Sequence, residues 1–189
     1  MPITSGTKQE LDCDPVKPYI VLEEYAGSYR MRVSHSERGA FVPEVNDVAT
    51  FILRERGPMS AMKLQKLVYY SQAWSLVWDE RPLFDEPIQA WANGPVVPAL
   101  YARHRGKFQV SADDIGGDAN GLNEVERETV GIVLSFYGDK PAQWLSDLTH
   151  MEAPWRDARE RAGVRDGAAC SEVITLAEMG EYYSSLPPE

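Results

Sequence analysis

The stretch of sequence that decides the fold runs from Ala61 to Trp78 and reads AMKLQKLVYYSQAWSLVW. Apolar and aromatic side chains lie on almost every side of a helix built from it. A helix with so little polar surface must be surrounded by protein, because its apolar side chains would otherwise contact water. Ser60 is a suitable N-cap for this helix, and Asp79–Pro82 contains residues typical of turns. We therefore predict a buried central helix.

Further helices are predicted on both sides of the central one. Upstream, apolar residues recur at helical spacing from Val45 to Leu53, with Asn46 as the expected N-cap and Gly57-Pro58 as the end. Downstream, the same signals predict helices over residues 96–104, 123–137, 142–149, 154–161 and 175–185. The expected caps are Asn123 and Thr175, the latter with Glu178 in a capping box. The expected apolar stripe of the helix at 123–137 consists of Val125, Thr129, Ile132, Val133 and Phe136.

The β structure is expected to be small. Ile88–Ala92 and Val173-Ile174 have the composition of short strands, and Asn93-Gly94-Pro95 has that of a tight turn. Residues 109–121 are rich in Gly and Asp and predict a loop. The fold class is therefore mainly α: a compact single-domain helical bundle of six or seven helices around a buried central helix, with a small β element.

The chain is predicted to divide near residue 41. Residues 1–41 form an N-terminal extension whose first 18 residues are polar and contain Pro2, Pro15 and Pro18, which indicates a flexible tail. Tyr19–Val33 is compatible with a short hairpin or with irregular structure. Residues 42–189 form the domain.

The net charge of −10 is unevenly distributed. Residues 109–189 carry six basic and sixteen acidic side chains, whereas residues 42–108 carry eight basic and seven acidic ones. Such an acidic region repels a polyanion, so nucleic-acid binding is disfavoured. It can steer a basic protein partner towards the chain, or it can serve solubility alone, and the sequence leaves both open.

The compartment is inferred from what the sequence lacks. No signal peptide is recognisable at the start of the chain, and no apolar run reaches the 18 or so residues of a membrane span. Cys13 and Cys170 occur in different contexts and are expected to be two reduced thiols. We therefore expect a cytoplasmic protein that does not enter the membrane.

A search for catalytic or metal-binding patterns gives none. His35, His104 and His150 are scattered, without an HExxH pair, and no GxSxG sequence occurs. The aspartates of the loop at 109–121 lack the spacing and the closing Glu of a calcium loop. The sequence therefore favours a protein that is not an enzyme and that needs no cofactor or metal.

Two stretches suggest a binding surface. Lys63, Lys66 and Tyr70 fall on one helical face, which could present two cations and a phenol to an acidic partner. Alternatively, the lysine stems cover apolar surface while their charged ends stay in water. In the second stretch, Trp91, Asn93 and Val97 surround the tight turn, which is either part of the same surface or a structural corner.

These stretches lie in one long motif. Residues 59–108 read MSAMKLQKLVYYSQAWSLVWDERPLFDEPIQAWANGPVVPALYARHRGKF, and residues 148–159 read LTHMEAPWRDAR. In order and spacing, this pattern resembles the Panacea domain, or SocA-like antitoxin domain, over about residues 42–186. We expect a structural role for a set of motif residues: Leu64, Leu67, Trp74, Gly94, Pro95, His150, Pro154 and Trp155.

The resemblance implies an antitoxin of a bacterial or phage toxin–antitoxin pair. The resemblance further implies that the protein binds a cognate protein toxin, which is generally encoded by the adjacent gene. One branch of the family that it resembles acts as an adaptor that delivers its toxin to a protease. The resemblance does not imply a catalytic centre, and it does not indicate an oligomeric state. We expect the surface of this chain that binds the toxin to be bordered by Lys63, Lys66, Tyr70, Trp91, Asn93 and Val97.

The alternatives are a proteolytic adaptor and a DNA-binding regulator of its own operon. For the regulator, residues 46–78 would have to form a helix-turn-helix. The second helix of that unit is too apolar for a DNA groove. An enzyme of unknown type is the third reading, and a deep pocket with convergent polar groups would favour it.

Overall fold

The computed structural model describes residues 42–186, and all structural statements refer to this part of the chain. It contains eight helices: α1 (Val45–Arg56), α2 (Ala61–Trp78), α3 (Pro98–His104), α4 (Ala112–Ile115), α5 (Glu124–Tyr137), α6 (Ala142–Met151), α7 (Ala153–Arg161) and α8 (Leu176–Ser184). The predicted mainly α fold with a small β element is confirmed. The predicted hairpin at Tyr19–Val33 lies outside the described residues.

Five short strands form two antiparallel sheets in the described region. They are β1 (Met59–Ser60), β2 (Ile88–Trp91), β3 (Gly94–Val96), β4 (Gln109–Val110) and β5 (Val173–Ile174). β1 pairs with β4, and the other sheet has the order β3-β2-β5. β2 and β3 form a hairpin with Trp91 opposite Gly94, so its two-residue turn is Ala92-Asn93. Gly94 and Pro95 thus lie in strand β3, and the turn begins one residue earlier than predicted.

The predicted central helix is confirmed as α2. Of its 18 residues, the only ones that are not buried are Ala61, Met62, Lys63 and Leu76. α1, α5, α6 and α8 all pack against it, as does the hairpin strand β3. Because these elements surround α2, its apolar side chains contact protein on almost every side. The helix therefore needs no polar face, as the sequence indicated.

Most predicted helix ends are confirmed, and one cap is wrong. Asn123 Oδ1 accepts a hydrogen bond from Glu126 N at 3.0 Å, and Thr175 Oγ1 accepts one from Glu178 N at 3.1 Å. Asn46, the predicted cap of α1, lies inside the helix, because the N-cap is Glu44, two residues earlier in the chain. The backbone N–H of Glu44 donates to Asp47 at 3.3 Å, so the capping side chain is an aspartate that follows.

Two regions differ from their sequence patterns. On α5, Thr129 and Val133 are buried as predicted, but Val125, Ile132 and Phe136 are only half-buried. The buried side of α5 is rotated towards α2 and α1, and its buried residues are Glu126, Thr129, Val130, Val133, Leu134 and Tyr137. In the predicted loop at 109–121 the chain forms β4 and the short helix α4, whose first turn is closed by a hydrogen bond from Ser111 N to Asp114 at 2.8 Å.

Candidate functional site

A surface cavity of about 690 Å³ lies between the first turns of α2, the β2–β3 hairpin, α3 and residues 169–171. This volume is within the range of sites that bind small molecules or inserted side chains. Its described lining residues are Ala61, Met62, Gln65, Lys66, Gln89, Trp91, Ala92, Asn93, Val96, Tyr101, His104, Gly106, Lys107, Ala169, Cys170 and Ser171. We take this cavity as the candidate functional site because charged, amide and aromatic groups converge on it.

Lys66 is the most unusual residue of the cavity. Only 1% of its surface is exposed, and its ammonium group donates a hydrogen bond to the carbonyl of Pro95 at 3.1 Å. Within the described residues no carboxylate forms an ion pair with it. Burial lowers the pKa of Lys66 to about 7. A buried cation without a counter-ion favours an anion beside it, because the anion would restore the charged form.

Gly94 fixes the hairpin against this lysine. Its φ is +101°, a conformation that L side chains rarely adopt. A Cβ at this position would lie 2.6 Å from Lys66 Cε and 2.8 Å from Thr149 Oγ1. The close approach of the hairpin to α2 and α6 therefore requires glycine here.

Gln65 holds the other end of the hairpin. Its side-chain oxygen accepts a hydrogen bond from Val97 N at 2.9 Å, and its amide group lies 3.4 Å from Val97 O. The same amide nitrogen lies 3.0 Å from His104 Nε2. His104 is buried, and burial lowers its pKa, which favours the neutral imidazole at neutral pH. The role of these two side chains is thus to position the strand that borders the cavity.

The second motif, at residues 148–159, holds the hairpin from the opposite side. Trp155 Nε1 donates to the carbonyl of Trp91 at 2.9 Å, and Arg159 donates to the carbonyl of Ala90 at 3.0 Å. Arg159 also bonds to the carbonyls of Arg165 and Ala168, both at 2.9 Å. The two motifs therefore meet at the hairpin backbone.

Aromatic side chains form the wall and the rim of the cavity. The rings of Trp91 and Tyr101 are in edge-to-face contact with centroids 4.8 Å apart. Phe108 follows the lining residues Gly106 and Lys107 and is 87% exposed. Its carbonyl accepts a hydrogen bond from Ala61 N, another lining residue, at 2.9 Å. A large aromatic side chain so exposed beside a cavity is typical of protein-binding surfaces.

Tyr70 belongs to a different environment, the buried tyrosine cluster formed by Tyr69, Tyr70, Tyr137 and Tyr183 around Glu152. Tyr70 and Tyr183 donate to the carboxylate of Glu152 at 3.2 and 2.7 Å. Tyr70 also stacks on Tyr137, with ring centroids 4.2 Å apart. Burial, and then the charge of Glu152, raise the pKa of Tyr69 and Tyr137 well above the usual value. These two hydroxyls therefore stay protonated.

The expected exposed face of Lys63, Lys66 and Tyr70 does not exist. Lys63 is partly exposed, whereas Lys66 and Tyr70 are buried, because α2 is enclosed from Leu64 onwards. The alternative in which the lysine ends stay in water is also wrong for Lys66. Around the hairpin, Asn93 is exposed, Trp91 is half-buried and Val97 is buried.

The cavity unites three of the six residues expected at the toxin surface, namely Lys66, Trp91 and Asn93. Sequence reasoning missed Tyr101, Cys170 and the adjoining Phe108. No local pattern marks the first two, but a phenylalanine between Lys107 and Gln109 was a visible signal of an exposed aromatic ring.

The residues expected to be structural lie at the centre of this arrangement. His150 is half-buried and stacks on Trp155 with ring centroids 4.2 Å apart. Burial and then the nearby Lys66 lower the pKa of His150. The other members of the set are all buried: Leu64, Leu67, Trp74, Gly94, Pro95, Pro154 and Trp155.

Two absences concern residues 42–186 alone. No group of three or more His, Cys, Asp or Glu side chains there is arranged to hold a metal ion. None of the described helices combines the length and the apolar character that a membrane crossing requires.

Comparison with known proteins gives one match. Residues 64–156 match the family model described as antitoxin SocA-like, Panacea domain, which confirms the resemblance over these residues. The matched segment contains most of α2, the hairpin, and the start of α7 with Trp155. No curated protein and no solved structure matches the chain.

Proposed function

We propose that this chain, whose residues 64–156 match the SocA-like Panacea family model, is an antitoxin that neutralises a cognate protein toxin by binding it directly. The family match is the observation that carries the proposal. The matched segment builds the hairpin and most of the cavity around it, so a shared architecture supports a shared binding role.

The chemistry of the cavity supports binding over catalysis. Its imidazole group and two of its three amide side chains are engaged with the protein itself: Gln65 with Val97 and His104, and Gln89 with the indole N–H of Trp91. A general base must instead be free to take a proton from a substrate. The groups left to meet a partner are Lys66, the exposed Asn93 and the aromatic rim.

The rim supplies the expected anchors of a protein interface. Such interfaces bury about 1,600 Å² in total and derive most of their affinity from a few desolvated aromatic side chains. Phe108, Trp91 and Asn93 are the rim residues that we place at the toxin interface. Lys63 lies at its border, while Tyr70 and Val97 act only by supporting the surface from within.

The acidic surface contributes to the rate of binding. Residues 109–189 carry most of the negative charge, and a basic toxin would be drawn towards them. We therefore expect the association rate to fall as salt is added, while the dissociation rate changes little.

Co-expression with the product of the adjacent gene tests the proposal. We expect the chain to restore growth of cells that make the toxin and to co-purify with it. Phe108→Ser should weaken both effects, since it removes the rim aromatic. Leu176→Ser is the matched control, because Leu176 is another exposed apolar residue, 41% exposed, and does not line the cavity. Normal growth without any complex would contradict direct binding.

Simple measurements distinguish the antitoxin from the two alternative functions. A proteolytic adaptor would shorten the lifetime of the toxin in cells, whereas an antitoxin that acts by occupancy leaves the amount of toxin unchanged. For a DNA-binding regulator, α2 would have to enter a groove, yet all but four of its residues are buried. A gel shift with the upstream region tests this reading directly.

A further inference from the structure

Within the described residues, the cavity is lined by basic and not by acidic side chains, in contrast to the acidic composition of the whole chain. Lys66, Lys107 and His104 line it, and none of its described lining residues is acidic, although the chain has a net charge of −10. Lys107 is paired with Asp114. Lys66 has no such partner among the described residues, and its hydrogen bond to Pro95 uses one of three N–H donors.

We propose that this cavity receives a carboxylate carried on an apolar body, namely an acidic side chain of the toxin, with Lys66 as its counter-ion and Trp91 and Tyr101 as its walls. The proposal rests on the proposed antitoxin function and specifies the chemistry of its binding surface. It explains a buried lysine that no residue of the described part neutralises.

The surroundings favour a side chain from a protein over a free small molecule. Phe108 is 87% exposed, directly follows the lining residue Lys107, and accepts a hydrogen bond at its carbonyl from the lining residue Ala61. A protein that covers Phe108 would also cover these neighbouring lining residues, and in doing so it would exclude water from the Lys66 ion pair. Desolvation strengthens such a pair.

Binding should couple to proton uptake at Lys66. The ionisable groups around this lysine are His150 on α6, His104 on α3, and Lys107 and Cys170 at the cavity edge. None of them supplies a negative carboxylate. Since burial lowers the pKa of Lys66 to about 7, many molecules must gain a proton when a carboxylate binds above pH 7. Carboxylate affinity should therefore fall as the pH rises from 7 to 9.

The first experiment uses phenylacetate as the probe and phenylacetamide as its neutral counterpart, in calorimetric titrations of the full chain. We expect phenylacetate to bind at least about tenfold more tightly, because a charge-assisted bond to an ammonium is stronger than a neutral one. Lys66→Met should abolish this preference. Lys140→Met, the same change at a lysine outside the cavity and outside the proposed toxin surface, should keep it.

Equal affinity for both probes, or a preference that survives Lys66→Met, would overturn the assignment of Lys66. So would a complete lack of phenylacetate binding to the wild-type chain. If Lys66→Met fails to fold, the pH dependence of phenylacetate binding to the wild-type chain decides, since affinity that stays constant from pH 7 to 9 contradicts the proposal.

The second experiment locates the ligand and identifies its source. In a Cys13→Ser background Cys170 is the only thiol, and it lines the cavity. We expect phenylacetate to slow its alkylation by iodoacetamide, and bound toxin to slow it as well. Excess phenylacetate should also weaken the toxin complex. A complex that leaves Cys170 reactive and that tolerates bound phenylacetate would assign the cavity to a free small carboxylate and overturn the proposal.

The two proposals can fail separately. If the chain neutralises its toxin but shows no carboxylate preference, the inference about Lys66 fails alone. If phenylacetate binds as expected but no toxin complex forms, the antitoxin function fails and the cavity chemistry stands.

Discussion

Lys66 and Tyr70 lie one helical turn apart on α2, and both are buried, yet their surroundings are opposite in kind. Tyr70 stacks on a second tyrosine and donates to Glu152, so its ring and its hydroxyl are both satisfied by the core. Lys66 lies under the hairpin with a single hydrogen bond to a carbonyl oxygen. One helix therefore serves two purposes: its middle builds the core, and its start shapes a cavity with an unneutralised charge.

The largest loss of stability is expected from substitutions at Tyr70, which belongs to the core. Tyr70→Ala should lower the free energy of unfolding by about 3–5 kcal/mol, because it removes a large buried ring. Tyr70→Phe should cost only about 1–2 kcal/mol, since it removes only the hydrogen bond to the carboxylate. Urea denaturation measures both. A loss below 1 kcal/mol for the alanine variant would show that the tyrosine cluster is not a core.

At the contact between hairpin and helix, Gly94→Ala should cost about 2–4 kcal/mol, from the positive φ and from overpacking against Lys66. Combining it with Lys66→Ala should recover part of this loss, because the shortened side chain makes room for the new methyl group. A double-mutant cycle in urea measures the coupling. Strict additivity would contradict the contact between Gly94 and Lys66.

On the cavity side, Gln65→Ala should lower stability by about 1–3 kcal/mol, because it leaves the buried N–H of Val97 without its partner. It should also weaken toxin binding more than this loss implies, since the strand beside the cavity becomes mobile. Thermal unfolding and binding titrations measure the two effects. Gln143→Ala, on the exposed side of α6, is the control with little effect on either.

The charge of Lys66 gives a smaller effect that depends on pH. Its pKa is lower in the folded chain than in the unfolded chain, so above pH 7 the unfolded state binds more protons and stability rises with pH. The gain relative to Lys66→Met should be about 1 kcal/mol between pH 7 and 8, since the slope is at most about 1.4 kcal/mol per pH unit. Urea midpoints at these two pH values measure it. Parallel behaviour of both chains would show that Lys66 is charged throughout.

The smallest change in stability is expected at Phe108. Phe108→Ser should alter the free energy of unfolding by less than about 0.5 kcal/mol, because the side chain is exposed. The same variant should weaken toxin binding, which separates the binding surface from the core. A large loss of stability in calorimetry would mean that Phe108 packs within the fold.

The sequence predicted the elements of this fold better than their orientations. Ser60, Asn123 and Thr175 cap the helices as their side-chain chemistry indicates, because capping involves only neighbouring residues. The orientation of α2 about its own axis could not be predicted, because a helix that is apolar on almost every side does not indicate which of its faces is buried most deeply. The spacing of Lys63, Lys66 and Tyr70 was therefore mistaken for one exposed face.

The candidate site was predictable only in part. The hairpin and its glycine are visible in the sequence, so Trp91 and Asn93 were correctly associated with one corner. Arg159 was missed because its role depends on carbonyls of Ala90, Arg165 and Ala168, which no local pattern brings together. Cys170 reaches the cavity through the same long-range folding.

The pairing of β5 with β2 joins residues that are more than 80 positions apart in the chain, since Ile174 lies opposite Ile88. During synthesis the ribosome releases β2 long before residues 169–174 leave its exit tunnel. A nascent chain therefore carries α2 and the hairpin while one wall of the cavity is still missing. If the cavity is the proposed toxin-binding site, full affinity for the toxin should arise only after this segment has been translated.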